Sequence, residues 1–124
     1  MVTRGGSDLF ITADFPPAIK VDGKVTKVSP QALNGTHTVA LARSIMSDKQ
    51  VAEFERTKEC NFAIAPPVLG RFRVSAFMQQ GKVGMVLRTI PTTLPTIDGL
   101  KLPQVLKELV TSKRGLCIIV GATG

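Results

Sequence analysis

The stretch from Arg71 to Ile90 constrains the fold more than any other part of the chain. In "RFRVSAFMQ" (71–79), Phe72, Val74 and Ala76 alternate with Arg71, Arg73 and Ser75, the period of two that sorts side chains onto opposite faces of a strand. "VGMVLRTI" (83–90) repeats the pattern and puts Val86 and Arg88 on one face. Joined through a two-residue loop at Gln80-Gly81, the runs pair Gln79 with Lys82, and counting back sets Arg73 directly opposite Arg88. Like charges opposite one another on a sheet repel by about 0.2–1 kcal/mol. A sheet face carrying Arg71, Arg73 and Arg88 therefore calls for an anion. Arginine forks suit phosphate, whereas a carboxylate from elsewhere, such as Glu59 or Asp8, would serve equally. On the residues alone both readings stay open.

The remaining elements fall around this hairpin. "DLFITA" (8–13) reads as a strand, and "AIKVDGKVTKV" (18–28) as a second hairpin turning at Asp22-Gly23, a pair that tolerates positive φ at both turn positions. Ser29-Pro30 predicts a helix start, with Leu33, His37, Ala40, Leu41 and Ile45 on one face, because Ser caps and Pro suits the first helical position. His37 on that face reads as a half-buried packing residue rather than a catalyst. A second helix begins at Ser47, whose capping box with Gln50 precedes Val51 and Phe54. "CNFAIA" (60–65) is a further strand before the 71–90 hairpin. "TIPTTLPTIDG" (89–99) resists helix and reads as a linker. "LPQVLKELVTSK" (102–113) predicts a short helix with Val105, Leu106, Leu109 and Val110 inward, closed by Lys113 and Arg114. "GLCIIVG" (115–121) predicts a buried parallel strand. The expected fold is α/β of the α+β kind, an antiparallel-sheet domain over 1–90 followed by something different.

Composition narrows the function classes. At 124 residues, the chain fits one domain with part of a second. Nothing approaches the roughly 18 apolar residues of a membrane span, and "MVTRGGSDLF" lacks the apolar run of a signal peptide, which places the protein in the cytosol. Cys60 and Cys117 sit in apolar strand contexts and read as buried reduced thiols. With His37 the single histidine, no zinc site is expected. The net charge of +7 admits nucleic acid, anionic lipid or phosphate ligands. Six Phe, no Tyr and no Trp argue against a stacking platform for single strands, so no nucleic-acid partner is expected.

The terminal "IIVGATG" (118–124) places glycines after a strand as a phosphate loop does in G-x-x-x-x-G-K-[ST]. Gly121 fits the first glycine, and Gly121, Ala122, Thr123 and Gly124 would form half of such a loop, whose backbone N–H groups cradle phosphates. Strand-to-glycine turns are also common without a ligand.

Five stretches carry a family resemblance: "GGSDLFITA" (5–13), "PPAIKVDGKV" (16–25), "GRFRVSAFMQ" (70–79), "LRTIP" (87–91) and "RGLCIIVGATG" (114–124). Together they resemble the N-terminal part of the type IV pilus retraction ATPases, the twitching-motility PilT/PilU family of the type II/type IV secretion ATPase superfamily. Phe10, where PilT proteins typically carry His, together with "ECNFAIA" and "RFRVSAF", puts the resemblance nearer the PilU branch. It implies a PAS-like N-terminal domain (1–90), an interdomain linker (91–99) and the truncated start of a RecA-like ATPase domain (100–124). The family's phosphate loop reads "GATGTGKST", and its members begin with a helix ahead of "GGSD", so the chain is expected to be an excised domain or a truncated gene product.

The resemblance further implies a hexameric motor that uses ATP and Mg, lies in the cytoplasm at the inner membrane, and engages neighbouring subunits, a related pilus motor ATPase and the inner-membrane platform of the pilus. In such motors arginines of the N-terminal sheet reach the γ-phosphate region. Carried over, these are Arg73 and Arg88, with Arg71 a third. No catalytic residue and no metal ligand of the family falls within these 124 residues. They are expected neither to hold ATP tightly nor to hydrolyse it. The alternative is a PAS-like sensing or protein-interaction module without a nucleotide role.

Overall fold

The computed structural model describes residues 1–121. A compact unit covers Met1–Thr92, and a second begins at Thr93.

In the first unit a 3-10 turn (Val2–Arg4) precedes β1 (Asp8–Ile11), β2 (Ala18–Val21) and β3 (Lys24–Lys27). Helices α1 (Gly35–Ile45) and α2 (Asp48–Thr57) follow, then β4 (Glu59–Ile64), β5 (Arg71–Gln79) and β6 (Lys82–Ile90). The strands form one antiparallel sheet in the order β3-β2-β1-β6-β5-β4. Both expected hairpins form. Asp22 and Gly23 take φ of 47° and 79°, and Gln80 and Gly81 take 49° and 73°. These left-handed pairs match the twist of the strands they join.

One sheet face is packed. Ile11, Cys60, Phe62, Val74, Ala76, Val83 and Met85 project from it against Ala42 of α1 and Phe54 of α2. Alternation along β5 leaves Val74 and Ala76 without solvent contact and Arg71 and Arg73 exposed on the other side. The capping box at Ser47 and Gln50 forms as expected: Gln50 Oε1 accepts from the Ser47 N–H at 2.8 Å.

α1 begins later than the Ser29-Pro30 pair predicts. Residues ahead of Asn34 are held extended, because the Leu33 N–H donates to Phe15 O (3.0 Å) and the Asp14 N–H to Leu33 O (2.6 Å), forming a parallel bridge between Ala13 and Leu33. Those bonds take the backbone groups a helical turn would need. Asn34 then caps the helix, its Oδ1 accepting from the His37 N–H at 2.8 Å. The packed face is that of Thr38 and Ala42, and His37 is an exposed capping residue rather than a half-buried packing one.

The second unit departs from the sequence reading. α3 spans Val105–Leu109, and Val105, Leu109 and Val110 are exposed, not inward. Residues 116–121 form no strand, and Leu116, Cys117, Ile118, Ile119 and Val120 are exposed. A strand exists through ladder bonds to a neighbour, and none pairs with this run among the described residues. Cys117 is thus an exposed thiol, whereas Cys60 is buried as expected.

Candidate functional site: an arginine pair on the open sheet face

The register of the sheet assembles the site. Arg73 pairs with Arg88 across β5 and β6, as the hairpin count requires. The same level continues outward on both sides, from Arg88 to Asp8 on β1 and Lys20 on β2, and from Arg73 to Ala63 on β4. The next level carries Phe10, Val86, Ser75 and Asn61. Asn61, Arg73, Ser75, Val86 and Arg88 line an open depression of about 260 Å³.

Asp8 resolves half of the question posed by the arginine cluster. Arg88 Nε donates to Asp8 Oδ1 at 2.8 Å. The Asp8 side chain is only 7% exposed while that of Arg88 is 71% exposed. Ser7 Oγ donates to Asp8 Oδ2 at 2.8 Å. The Arg88 hydrogen bond, then that of Ser7 and the charges of Arg88 and Lys20, hold the Asp8 carboxyl below the usual value against the opposing effect of burial. Asp8 is therefore the carboxylate partner that one sequence reading required. Glu59 is not: its Oε1 accepts from Asn61 Nδ2 at 3.1 Å, away from the arginines.

Among the described residues Arg73 has no such partner: the ion pairs there are Arg43–Glu55, Lys82–Asp14, Arg88–Asp8 and Lys107–Asp98. A second guanidinium thus stands opposite Arg88 with its charge uncompensated. The depression can hold an anion chemically: two guanidinium groups supply charge and forked N–H donors, and the Ser75 hydroxyl and Asn61 amide can add hydrogen bonds.

Arg71 pairs with Ile90, one level beyond, and does not line the depression. Gly121 is exposed and has no neighbour within 4 Å of where a Cβ would stand. Ala122, Thr123 and Gly124 lie outside the described residues. The sequence reading passed over Ser75 and Asn61 as site residues. Their signal was present, since alternation with Cys60, Phe62, Val74 and Ala76 turns both to the arginine side. No group of three His, Cys, Asp or Glu side chains able to hold a metal occurs among the described residues, and no helix is long and apolar enough to cross a membrane.

No family model matches the chain. The type IV pilus ATPase PilU of Pseudomonas aeruginosa is 52% identical over 124 residues, all of this chain and 32% of that protein. The type IV pilus retraction ATPase PilT of the same organism is 40% identical over 121 residues, 98% of this chain and 35% of its own length. A crystal structure of the pilus retraction motor PilT with bound ADP superposes with a TM-score of 0.77 at 33% identity, covering 87% of this chain and 32% of that one. The chain thus spans about a third of the length of the curated relatives it matches. Over its whole length the chain is similar to about a third of PilU, and its fold is similar to the N-terminal domain of PilT, a pilus retraction ATPase.

Proposed function

We propose that this chain works as the N-terminal domain of a pilus-retraction motor ATPase, a lid that places Arg73 and Arg88 on the terminal phosphate of ATP held by the motor domain. The observation that carries the reading is the half-compensated pair, in which Asp8 serves Arg88 and, among the described residues, no carboxylate serves Arg73. Two arginines face one another across β5 and β6, and a single carboxylate serves them. Stability alone gives no reason for that arrangement, and an arriving phosphate gives one. Positive charge at the transferring phosphoryl group stabilises its transition state and couples closure to nucleotide state. Arg71, exposed at the end of β5, supports the same field.

In this reading residues 1–90 are a PAS-like domain, 91–99 the interdomain linker, and 100–124 the opening of a RecA-like domain whose phosphate loop includes Gly121, Ala122, Thr123 and Gly124. The motor is a homo-hexamer in the cytoplasm, against the inner-membrane platform of the pilus, working with a related motor ATPase and using ATP with Mg²⁺. No residue described here is assigned to the metal.

The test places Arg88→Ala and Arg73→Ala in a full-length PilU-type ATPase bearing this domain. The reading expects ATPase activity to fall at least tenfold in each with assembly intact. Unchanged turnover in both variants overturns it and leaves a domain whose arginines serve some other anion.

A further inference from the structure

The two arginines are not equivalent, and the difference lies in a residue with no assigned role. We propose that Asp8 is a positioning residue that fixes Arg88 for bidentate binding of a phosphate. This rests on the reading of the arginine pair as a phosphate site.

Asp8 is built as an anchor. Its side chain is 7% exposed, and its two oxygens are divided between neighbours, Oδ1 to Arg88 Nε and Oδ2 to the Ser7 hydroxyl, each at 2.8 Å. Ser7 is itself fixed, because its N–H donates to Lys20 O (2.8 Å) and its carbonyl accepts from the Thr89 N–H (3.0 Å). The carboxylate therefore belongs to the rigid part of the sheet.

Arg88 is a long side chain on the open face, 71% exposed. Untethered, it would sample many rotamers and lose that freedom on meeting a ligand. Asp8 takes only Nε, and no other hydrogen bond engages the guanidinium among the described residues. Both Nη groups stay available, and their paired N–H bonds are the edge that grips a phosphate through two oxygens. The tether removes freedom without using the binding edge. Arg73, which forms no ion pair among the described residues, lacks such a tether.

The competing account is that Asp8 merely neutralises Arg88. The two accounts predict opposite signs. Asp8→Asn removes a negative charge beside the depression, so electrostatics alone makes an incoming anion bind more tightly. Loss of positioning makes it bind more weakly.

The experiment titrates inorganic triphosphate into the 124-residue chain at low salt, following the arginine Nε–H signals by ¹⁵N NMR. Wild type, Asp8→Asn, Ser7→Ala and Arg88→Ala are compared. Triphosphate is expected to shift the Arg73 and Arg88 signals of the wild type. Arg88→Ala should weaken binding at least tenfold. Asp8→Asn should weaken it roughly three- to tenfold despite the gain in net positive charge, and Ser7→Ala about twofold. In the free wild type the Arg88 Nε–H should exchange with water more slowly than that of Arg73, and Asp8→Asn should abolish the difference.

Equal or tighter binding by Asp8→Asn, with Arg88→Ala still weakened, overturns the positioning role and leaves the phosphate site standing. Should Asp8→Asn fail to fold, full affinity in Ser7→Ala together with an unprotected Arg88 Nε–H in the wild type overturns it as well. If the wild type ignores triphosphate, or Arg88→Ala binds like the wild type, the phosphate reading itself falls, and the inference about Asp8 falls with it.

Discussion

Arg73 and Arg88 stand opposite one another on neighbouring strands, and the one carboxylate at their level, Asp8, pairs with Arg88 and not with Arg73. The sheet therefore sets two like-charged residues opposite one another with a carboxylate for only one of them. Facing like charges cost about 0.2–1 kcal/mol on a sheet, and exposed charges are screened by salt.

Arg73→Ala should accordingly stabilise the chain by a few tenths of a kcal/mol to about 1 kcal/mol. Urea denaturation at low salt reads the gain, which should shrink towards zero at about 1 M salt, where the Debye length is about 3 Å. The same variant should bind triphosphate more weakly. A fold held back by a residue that serves a ligand shows this trade of stability for binding. An Arg73→Ala protein less stable than the wild type at low salt would mean that Arg73 packs usefully against the sheet.

Asp8 also carries a pH signature. Its folded-state carboxyl is held below the ordinary value, chiefly by the Arg88 hydrogen bond. A group depressed in the folded state adds stability that is fully present above the unfolded carboxyl's value, about 3.9. That stability is lost as pH falls from there through the lower folded value. Asp8→Asn should therefore be less stable than the wild type near neutrality, and the gap should narrow as pH drops below about 4. Thermal melts of both proteins across the acid range measure it. A gap independent of pH would show that the folded carboxyl titrates like an unfolded one.

What the sequence disclosed, and what it hid, follows from the range of the interactions involved. The Arg73–Arg88 register could be counted because a two-residue loop at Gln80-Gly81 fixes it locally. The Asp22-Gly23 hairpin and the Ser47 capping box were legible for the same reason. Asp8 as the partner of Arg88 could be named only as one of two carboxylates, since the pair spans 80 residues and depends on β1 lying beside β6. The α1 start was misplaced because Leu33 is claimed by the backbone of Asp14 and Phe15, a contact no local pattern reveals. At the other end, apolar spacing in 105–110 and 116–120 was read as burial. Periodicity shows what a segment can bury, and the covering layer has to come from elsewhere.

Asn34, not Ser29, begins α1, and this too can be measured. Its Oδ1 accepts from the His37 N–H at 2.8 Å. Replacing such a cap with alanine costs about 1 kcal/mol, within a range of about 0.5–2. Asn34→Ala should lose that much, whereas Ser29→Ala, whose hydroxyl accepts only from the Gln31 N–H at a long 3.3 Å, should lose little. Equal losses in the two variants would return the helix start to the Ser29-Pro30 pair.

The two cysteines give an independent check on both units. Cys60 lies in the core beneath the helices, 2% exposed, and burial together with the charge of Glu53 raises its thiol above the usual value. The reactive species is the thiolate, so Cys60 is protected twice, by lack of access and by lack of ionisation. Cys117 is exposed in a run without a ladder partner. A thiol-specific disulfide reagent at pH 8 should titrate one thiol per native chain and two in denaturant, and Cys117→Ser should remove the fast one. The slow reaction of Cys60 should depend on opening of the sheet, which gives a reagent access to the buried thiol. Two fast thiols in the native chain would place Cys60 outside the packed face and contradict the register of β4 on β5. No fast thiol would mean that residues 116–120 are covered, by a strand partner or by a second copy of the chain, and sedimentation of the native protein at increasing concentration would tell these apart.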